Sequence, residues 1–226
     1  MKTEVIIPMA GSGTRLKSKI SKPLIVFHKK PLFFYTVKKF EDSRRVNSIV
    51  LVVQKENIAK FKGLVKKFRF KKVKAVVAGG KSRSQSVYNG LKVTASDTDI
   101  ILVHDGARPF ITTKLIDASI DLCRKYPAVI IAVPVKSTIK RVDVKTLHVK
   151  ETLNRRELWE IQTPQTFKRE VLWKAHQAYK KDDATDDAFL VERLGIKVKV
   201  LPGSYENIKI TTQEDLSVAA LFLRKI

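Results

Sequence analysis

Short β-branched runs recur along this chain, each closed by a glycine or a polar turn and followed by residues at helical spacing. The runs at residues 4–8, Ile49–Val53, Val73–Ala78, Ile100–Val103 and Ala128–Val133 are short and mostly apolar, and Lys197–Leu201 reads as a further strand. That is how parallel strands read when both faces of their sheet are covered. Between them, Phe33, Val37 and Phe40 stand at i, i+4 and i+7, and Ile58, Phe61, Val65 and Phe68 mark one face of a helix over about residues 56–68. A further helix carries Ile116, Ile120 and Cys123 behind a cap at Thr112 or Thr113, and another, over 168–179, turns Val171, Leu172, Ala175 and Tyr179 inward. The alternation predicts an α/β fold with a mostly parallel sheet and helices on both faces.

In such a sheet ligands lie beyond the carboxyl ends of the strands. The loops at Gly11, Gly80 and Asp105 each follow a strand and should therefore gather on one edge. The first loop, Met9-Ala10-Gly11-Ser12-Gly13-Thr14-Arg15, leaves backbone N–H groups uncovered for a polyphosphate, and Arg15 and Lys22 bring positive charge beside it. Two familiar phosphate motifs do not fit. Leu16 stands where the dinucleotide fingerprint needs its third glycine, and Ala75 stands where a P-loop ending in Gly80-Lys81-Ser82 needs its first.

A length of 226 residues suits one α/β domain spanning 1–226. Residues 136–155 break the alternation. They read as a sparse hairpin with a turn near Asp143–Thr146, and so little apolar surface needs something to pack against. An arm that docks on a second subunit is expected. After it, Gln162-Thr163-Pro164-Gln165 reads as a turn, the Asp182–Asp187 cluster as helix capping in preference to a metal site, and Thr211–Asp215 as a capping box opening a last helix with Leu216, Ala220 and Leu223 inward.

No apolar run is long enough to span a bilayer, and the start of the chain passes straight into a strand, so a cytoplasmic protein is expected. The single Cys123 excludes an internal disulfide and a cysteine zinc site. A net charge of +23 invites a nucleic-acid partner, but the lysines are scattered and lack interleaved aromatic platforms. Most of them read as a solvated face, and some of the excess is left to concentrate small anionic substrates by steering.

Taken together, Pro8 to Arg15, Lys22, Gly79-Gly80 with Arg83 and Ser86, and Val103-His104-Asp105 with Ala107-Arg108-Pro109 resemble one nucleotidyltransferase family. So do Thr138-Ile139-Lys140-Arg141, Asn154-Arg155 with Leu158-Trp159, Thr163-Pro164-Gln165, Thr185-Asp186 and Asn207-Ile208-Lys209. The family is that of the 2-C-methyl-D-erythritol 4-phosphate cytidylyltransferases, and the similarity runs in order through nearly the whole chain. The resemblance implies a Rossmann-like fold and transfer of a cytidylyl group from CTP to methylerythritol phosphate, with release of pyrophosphate, in non-mevalonate isoprenoid synthesis. It implies CTP contacts from Met9, Ala10, Gly11, Gly13, Thr14, Arg15, Lys22, Gly80, Ser86 and Asp105, with Arg15 and Lys22 as the catalytic cations. Asp105 would hold Mg²⁺ or another divalent cation. Lys209, Asp105 and Thr163 would position the polyol phosphate, and Thr138 and Arg155 would reach a neighbouring subunit's pocket from the arm of a homodimer. Ser21-Lys22-Pro23 departs from the family's Pro-Lys-Gln, Met9 replaces an Ala, and Lys81 stands where an acidic residue is common.

A phosphate monoester is already largely dianionic at neutral pH, since its second pKa is near ~6, so no Ser, Cys or His nucleophile is required. On that ground His104 is a structural neighbour of Asp105 rather than a base. The alternatives are a cytidylyltransferase for another polyol phosphate, such as ribitol 5-phosphate, and a non-catalytic basic nucleic-acid-binding protein, which predicts salt-dependent binding and no pyrophosphate.

Overall fold

The computed structural model describes residues 1–11, 21–179 and 184–223. At its centre lie β1 (Thr3–Pro8), β4 (Ser48–Val53), β5 (Val73–Ala78), β6 (Ile100–Val103), β7 (Ala128–Pro134), β10 (Trp159–Lys168) and β11 (Lys199–Pro202). They form one seven-stranded sheet in the order β11-β7-β10-β6-β1-β4-β5. All pairings are parallel except those of β10, which runs antiparallel to both β6 and β7.

Side chains alternate across the pleat, so successive residues of one strand enter different cores. Val5 and Ile7 face α1 (Leu32–Asp42), α2 (Ile58–Lys67) and α4 (Thr113–Cys123), packing with Phe33, Phe40, Phe61 and Ile120. Ile6 faces α3 (Arg83–Leu91), α5 (Arg169–Ala178) and α6 (Asp187–Glu192), packing with Val87, Leu91, Leu172 and Leu190. Each such side chain, fully buried, contributes ~1.5–3 kcal/mol. Both faces of the inner parallel strands are buried, which is why β1, β4, β6 and β7 read as nearly unbroken apolar runs. Thr112, not Thr113, caps α4, accepting from the Leu115 N–H at 3.2 Å. Cys123 is buried.

The expected turn at Gln162–Gln165 needs correction. These residues lie inside β10, whose pairing to β7 shifts register between Ile161 and Gln165 at a bulge that contains Pro164, preceded by a cis peptide bond. Proline is tolerated in a strand where a bulge interrupts the ladder. Polar residues occupy the buried positions because each finds a partner, so the usual apolar signature of a central strand is missing.

Smaller differences occur elsewhere. Before α1 lies a tiny hairpin of β2 (Val26–Phe27) and β3 (Lys30–Pro31), with His28 and Lys29 at positive φ in its turn. In α5, Val171 is only half-buried, as is Tyr179 just after it, while His176 is buried. The last helix, α7 (Gln213–Leu223), opens on a reciprocal pair: Asp215 accepts from the Thr212 N–H at 2.8 Å, and Thr212 Oγ1 from the Asp215 N–H at 3.4 Å. Ala219 is its buried residue, with Leu216 and Ala220 half-buried; the side chain of Leu223 lies outside the description.

The 136–155 stretch forms a second two-stranded sheet, β8 (Lys140–Val142) with β9 (Val149–Thr152), and every residue of both strands is exposed. Asp143 Oδ1 accepts from the N–H groups of Lys145 and Thr146, fixing the expected turn. Val144 and Leu147 at its tip are 87% and 78% exposed, apolar surface that nothing in the chain covers among the described residues. No helix among those residues is long and apolar enough to cross a membrane.

Candidate active site

The loops after β1, β5 and β6 meet at one edge of the sheet, as the alternation requires. They are tied to neighbouring strands: the Met9 N–H donates to Val52 O at 2.7 Å, Gly79 N–H to Val53 O at 2.8 Å and His104 N–H to Ile6 O at 3.0 Å. A cleft of about 520 Å³ opens over them. Its wall includes Met9, Ala10, Gly11, Lys22, Gly80, Ser86, Asp105 and Lys209 from the expected set, and Lys81, Ser82 and Arg83 besides.

The loops approach closely at glycines where an added Cβ would have no room against the neighbours as they stand, Gly79 and Gly106 among them. A Cβ at Gly79 would lie 2.2 Å from the Cβ of Ala10, and one at Gly106 would lie 2.2 Å from Cγ of Met9. Ser82 caps α3 by accepting from the Gln85 N–H at 3.1 Å, and Ser86 Oγ accepts from the Gly80 N–H at 3.0 Å. Ser86 thus shapes the β5 loop.

Asp105 is the electrostatic centre. Its Oδ2 lies 2.7 Å from Lys209 Nζ and its Oδ1 3.3 Å from Arg83 Nε. Burial alone would push the carboxyl up, but Arg83 and Lys209, with Arg108 beyond, hold it well below the usual carboxylate range. Its own N–H donates to Thr163 Oγ1 at 3.0 Å. The hydroxyl of Thr163 stands 3.1 Å from Nδ1 of His104, whose Nε2 is 2.9 Å from the carbonyl of Arg108. A carbonyl can only accept, so neutral His104 carries its proton on Nε2 and takes one from Thr163 on Nδ1. Burial pushes the imidazole down to about 4. His104 is therefore a neutral strut beneath Asp105, as expected.

Lys209 reaches the cleft because a buried arginine staples its segment down. Arg108 donates to Asn207 O at 2.7 Å and to Ile161 O at 3.3 Å, while Asn207 Nδ2 donates to Gln162 Oε1 and Thr163 O. The Ile210 N–H completes the tie to Ala107 O.

Residues that sequence reasoning left without a role form a layer behind Asp105. Arg83 also pairs with Asp187, its NH1 2.7 Å from Asp187 Oδ2. Asp187 Oδ1 lies 3.0 Å from Nε2 of the buried His176. Gln165 Oε1 accepts the N–H groups of Asp187 and Ala188, both at 3.1 Å. Asp186 caps α6, accepting from the Phe189 N–H at 2.9 Å, which matches the capping expectation; Asp182 and Asp183 lie outside the described residues. The only sequence signal for the Arg83–Asp187 pair was that both residues fall within or beside the motifs carrying the resemblance.

Thr138 and Arg155 do not line this cleft. Both are exposed on and beside the arm, where Arg155 NH1 donates to Lys136 O at 3.0 Å. Gly13, Thr14 and Arg15 lie outside the described residues.

A family model described as IspD, 2-C-methyl-D-erythritol 4-phosphate cytidylyltransferase, matches residues 3–225. The chain is 45% identical over 226 residues to the protein of that name from Alkaliphilus oremlandii, covering 99% of this chain and 95% of the relative. It is 41% identical to the one from Caldanaerobacter subterraneus, with both chains fully covered. Among solved structures, 4-diphosphocytidyl-2C-methyl-D-erythritol synthase from Anaerococcus prevotii superposes with a TM-score of 0.85 at 32% identity, over 99% of this chain and 98% of that one. With the cleft, the cations around Asp105 and the antiparallel bulged strand in place, these matches establish that the chain belongs to the 2-C-methyl-D-erythritol 4-phosphate cytidylyltransferase family.

Proposed function

We propose that this protein transfers the cytidylyl group of CTP to 2-C-methyl-D-erythritol 4-phosphate and releases pyrophosphate. The observation that carries the reading is the meeting of Lys22, Lys209 and Arg83 around one cleft bordered by the β1 loop, where Asp105, the one carboxylate among the described lining residues, is held ionised. A phosphate oxygen of the acceptor forms a bond to the α-phosphorus of CTP. The bond from that phosphorus to the oxygen shared with the β-phosphorus breaks, and its electron pair leaves with pyrophosphate.

The obstacle is charge. A cation about 4 Å from a developing negative charge interacts with it by roughly 4 kcal/mol at an effective dielectric of about 20, so two or three fixed cations supply a sizeable part of the barrier reduction. Lys22 borders the β1 loop and is assigned, with Arg15, to the α-phosphate and leaving group. Lys209, held by Asp105, is assigned to the acceptor phosphate. His104, neutral and committed to Thr163 and Arg108 O, has no proton-transfer task.

Magnesium suits the donors present. This ion is commonly held by one or two carboxylates together with substrate phosphates. Asp105 offers one ionised carboxylate facing the cleft, and no cluster of three acidic, His or Cys ligands occurs among the described residues. Asp105 would hold the ion, which would neutralise phosphate charge when bound with the nucleotide.

The reading takes residues 1–226 as one nucleotidyltransferase domain and 136–155 as a dimerisation arm, with Thr138 and Arg155 serving a partner's cleft. The exposed Val144, Leu147 and Val149 support a docked arm. A cytoplasmic setting belongs to the same reading and suits a free thiol at Cys123. A pyrophosphate-release assay crossing CTP, UTP and ATP with methylerythritol phosphate and ribitol 5-phosphate, with and without Mg²⁺, tests it. Turnover confined to CTP with methylerythritol phosphate is expected. Preference for ribitol phosphate, or no turnover with any pair, overturns it.

A further inference from the structure

Asp187 is 1% exposed and does not border the cleft, yet it is held on three sides. Arg83 NH1 and His176 Nε2 each take one carboxylate oxygen, at 2.7 and 3.0 Å, and Gln165 takes its N–H at 3.1 Å. A lone buried carboxylate would be costly, and this one is paired on both oxygens. Burial would push it up, but Arg83 and His176 hold it below its ordinary value.

The guanidinium of Arg83 is thereby shared between two acids. Its NH1 contact to Asp187 is the short one, and its Nε contact to Asp105, at 3.3 Å, is the longer. Removing the negative charge at residue 187 would leave Asp105 as the only anion paired with Arg83 among the described residues. The guanidinium would then move toward Asp105 and take more of the carboxylate that Lys209 shares.

Thr163 and Gln165 bear on the same point. Two residues apart on β10, the first supports the Asp105 N–H and the second the Asp187 N–H. Both carboxylates are thus tied through their N–H groups to one strand, with Arg83 between them.

We propose that Asp187 is a positioning residue: braced by His176 and Gln165, it holds Arg83 back from Asp105, so that the Asp105 carboxylate and Lys209 stay in register with the bound substrates. This rests on the transferase reading above. Because a displacement of about 1 Å at reacting groups can cost ~100-fold in rate, Asp187→Asn is expected to lower kcat by roughly 10- to 100-fold. The KM for CTP should change by less than about threefold, since the β1 and β5 loops are untouched.

The decisive measurement is a double-mutant cycle with Arg83→Met, read in steady-state pyrophosphate release alongside the thermal midpoint of each ligand-free variant. If Asp187 acts through Arg83, Asp187→Asn should lower kcat by less than about twofold further in the Arg83→Met background. An equal fold-loss in both backgrounds, or unchanged kcat in the single variant, overturns the inference. If Asp187→Asn does not fold, His176→Ala, which removes one brace from Asp187, replaces it in the cycle, and the same two results support or overturn the inference. Absence of turnover by the unmodified protein would instead overturn the transferase reading, so the two failures are distinguishable.

Discussion

Lys209 and Asp105 meet at 2.7 Å at the mouth of the cleft, brought together across the chain by Arg108 and Asn207 beneath them. The lysine is assigned to the acceptor phosphate, and its carboxylate partner aims it. Lys209→Gln should raise the KM for methylerythritol phosphate and lower kcat/KM for it by roughly 100-fold or more, with the CTP KM changed only a few-fold. Steady-state titration of each substrate checks this, and a loss confined to CTP would contradict the assignment.

Lys22 is expected to divide its effect differently. If it is the cation for the α-phosphate and leaving group, as proposed, it works in the transition state more than in the ground state. Lys22→Ala should cut kcat by about 100-fold or more while calorimetric CTP affinity falls by less than about tenfold. Equal losses in turnover and affinity would assign Lys22 to binding alone.

The arm makes a prediction that needs two variants in one tube. If Arg155 serves the partner's cleft while Lys22 serves its own, a mixed dimer of Lys22→Ala and Arg155→Ala chains contains one intact site. Mixing the two inactive variants after dissociation and reassociation should restore roughly a quarter of wild-type activity, the share expected from random pairing in a twofold dimer. No recovery, with exchange confirmed by mass, would place Arg155 with its own chain's cleft.

Gly79 and Ala10 can be exchanged as a pair. Gly79→Ala brings two methyl carbons to 2.2 Å, which the loops cannot absorb without parting. CTP affinity should fall by roughly tenfold or more, in line with an overpacking cost of ~1–3 kcal/mol, and Ala10→Gly in the same chain should restore much of it. Calorimetric titration of the three variants reads both effects.

The stability of the fold should report His104 as pH falls. Its folded-state pKa, about 4, is below the ordinary value of 6.5, so the unfolded chain binds a proton that the native state refuses. Stability is therefore full above pH ~6.5 and declines toward pH ~4, by on the order of 3 kcal/mol for this group. Asp105 and Asp187, both held low, add their losses only below the ordinary carboxylate range, as pH falls toward their folded values. Urea midpoints at pH 7, 5.5 and 4 should show the decline, and His104→Gln should flatten it. An unchanged slope would contradict the buried neutral assignment.

The parallel strands were legible because burial on both faces leaves an unbroken apolar run, and the helices because one face each is buried. The meeting of the loops at Gly11, Gly80 and Asp105 followed from topology alone. β10 was not legible: Gln162, Thr163 and Gln165 are buried but polar, and Pro164 argued for a turn. Their partners, Asn207, His104 and the start of α6, are distant in sequence, so no local pattern announces them. Asp187 was hidden differently, inside a run of acids that serves equally well as helix caps. The placement of Lys209 depends on Arg108, an arginine whose burial no charge count would suggest. Thr138 and Arg155 had a role only through the family resemblance, because a second subunit's geometry is not written in one chain's periodicity.

The chain leaves the sheet for the arm along β7 and comes back along β10, the neighbour that bears Thr163 and Gln165. Whatever grips the hairpin therefore pulls on the same length of backbone that seats both acids flanking Arg83. If the arm docks on a second subunit as proposed, assembly and chemistry would bear on one continuous length of chain.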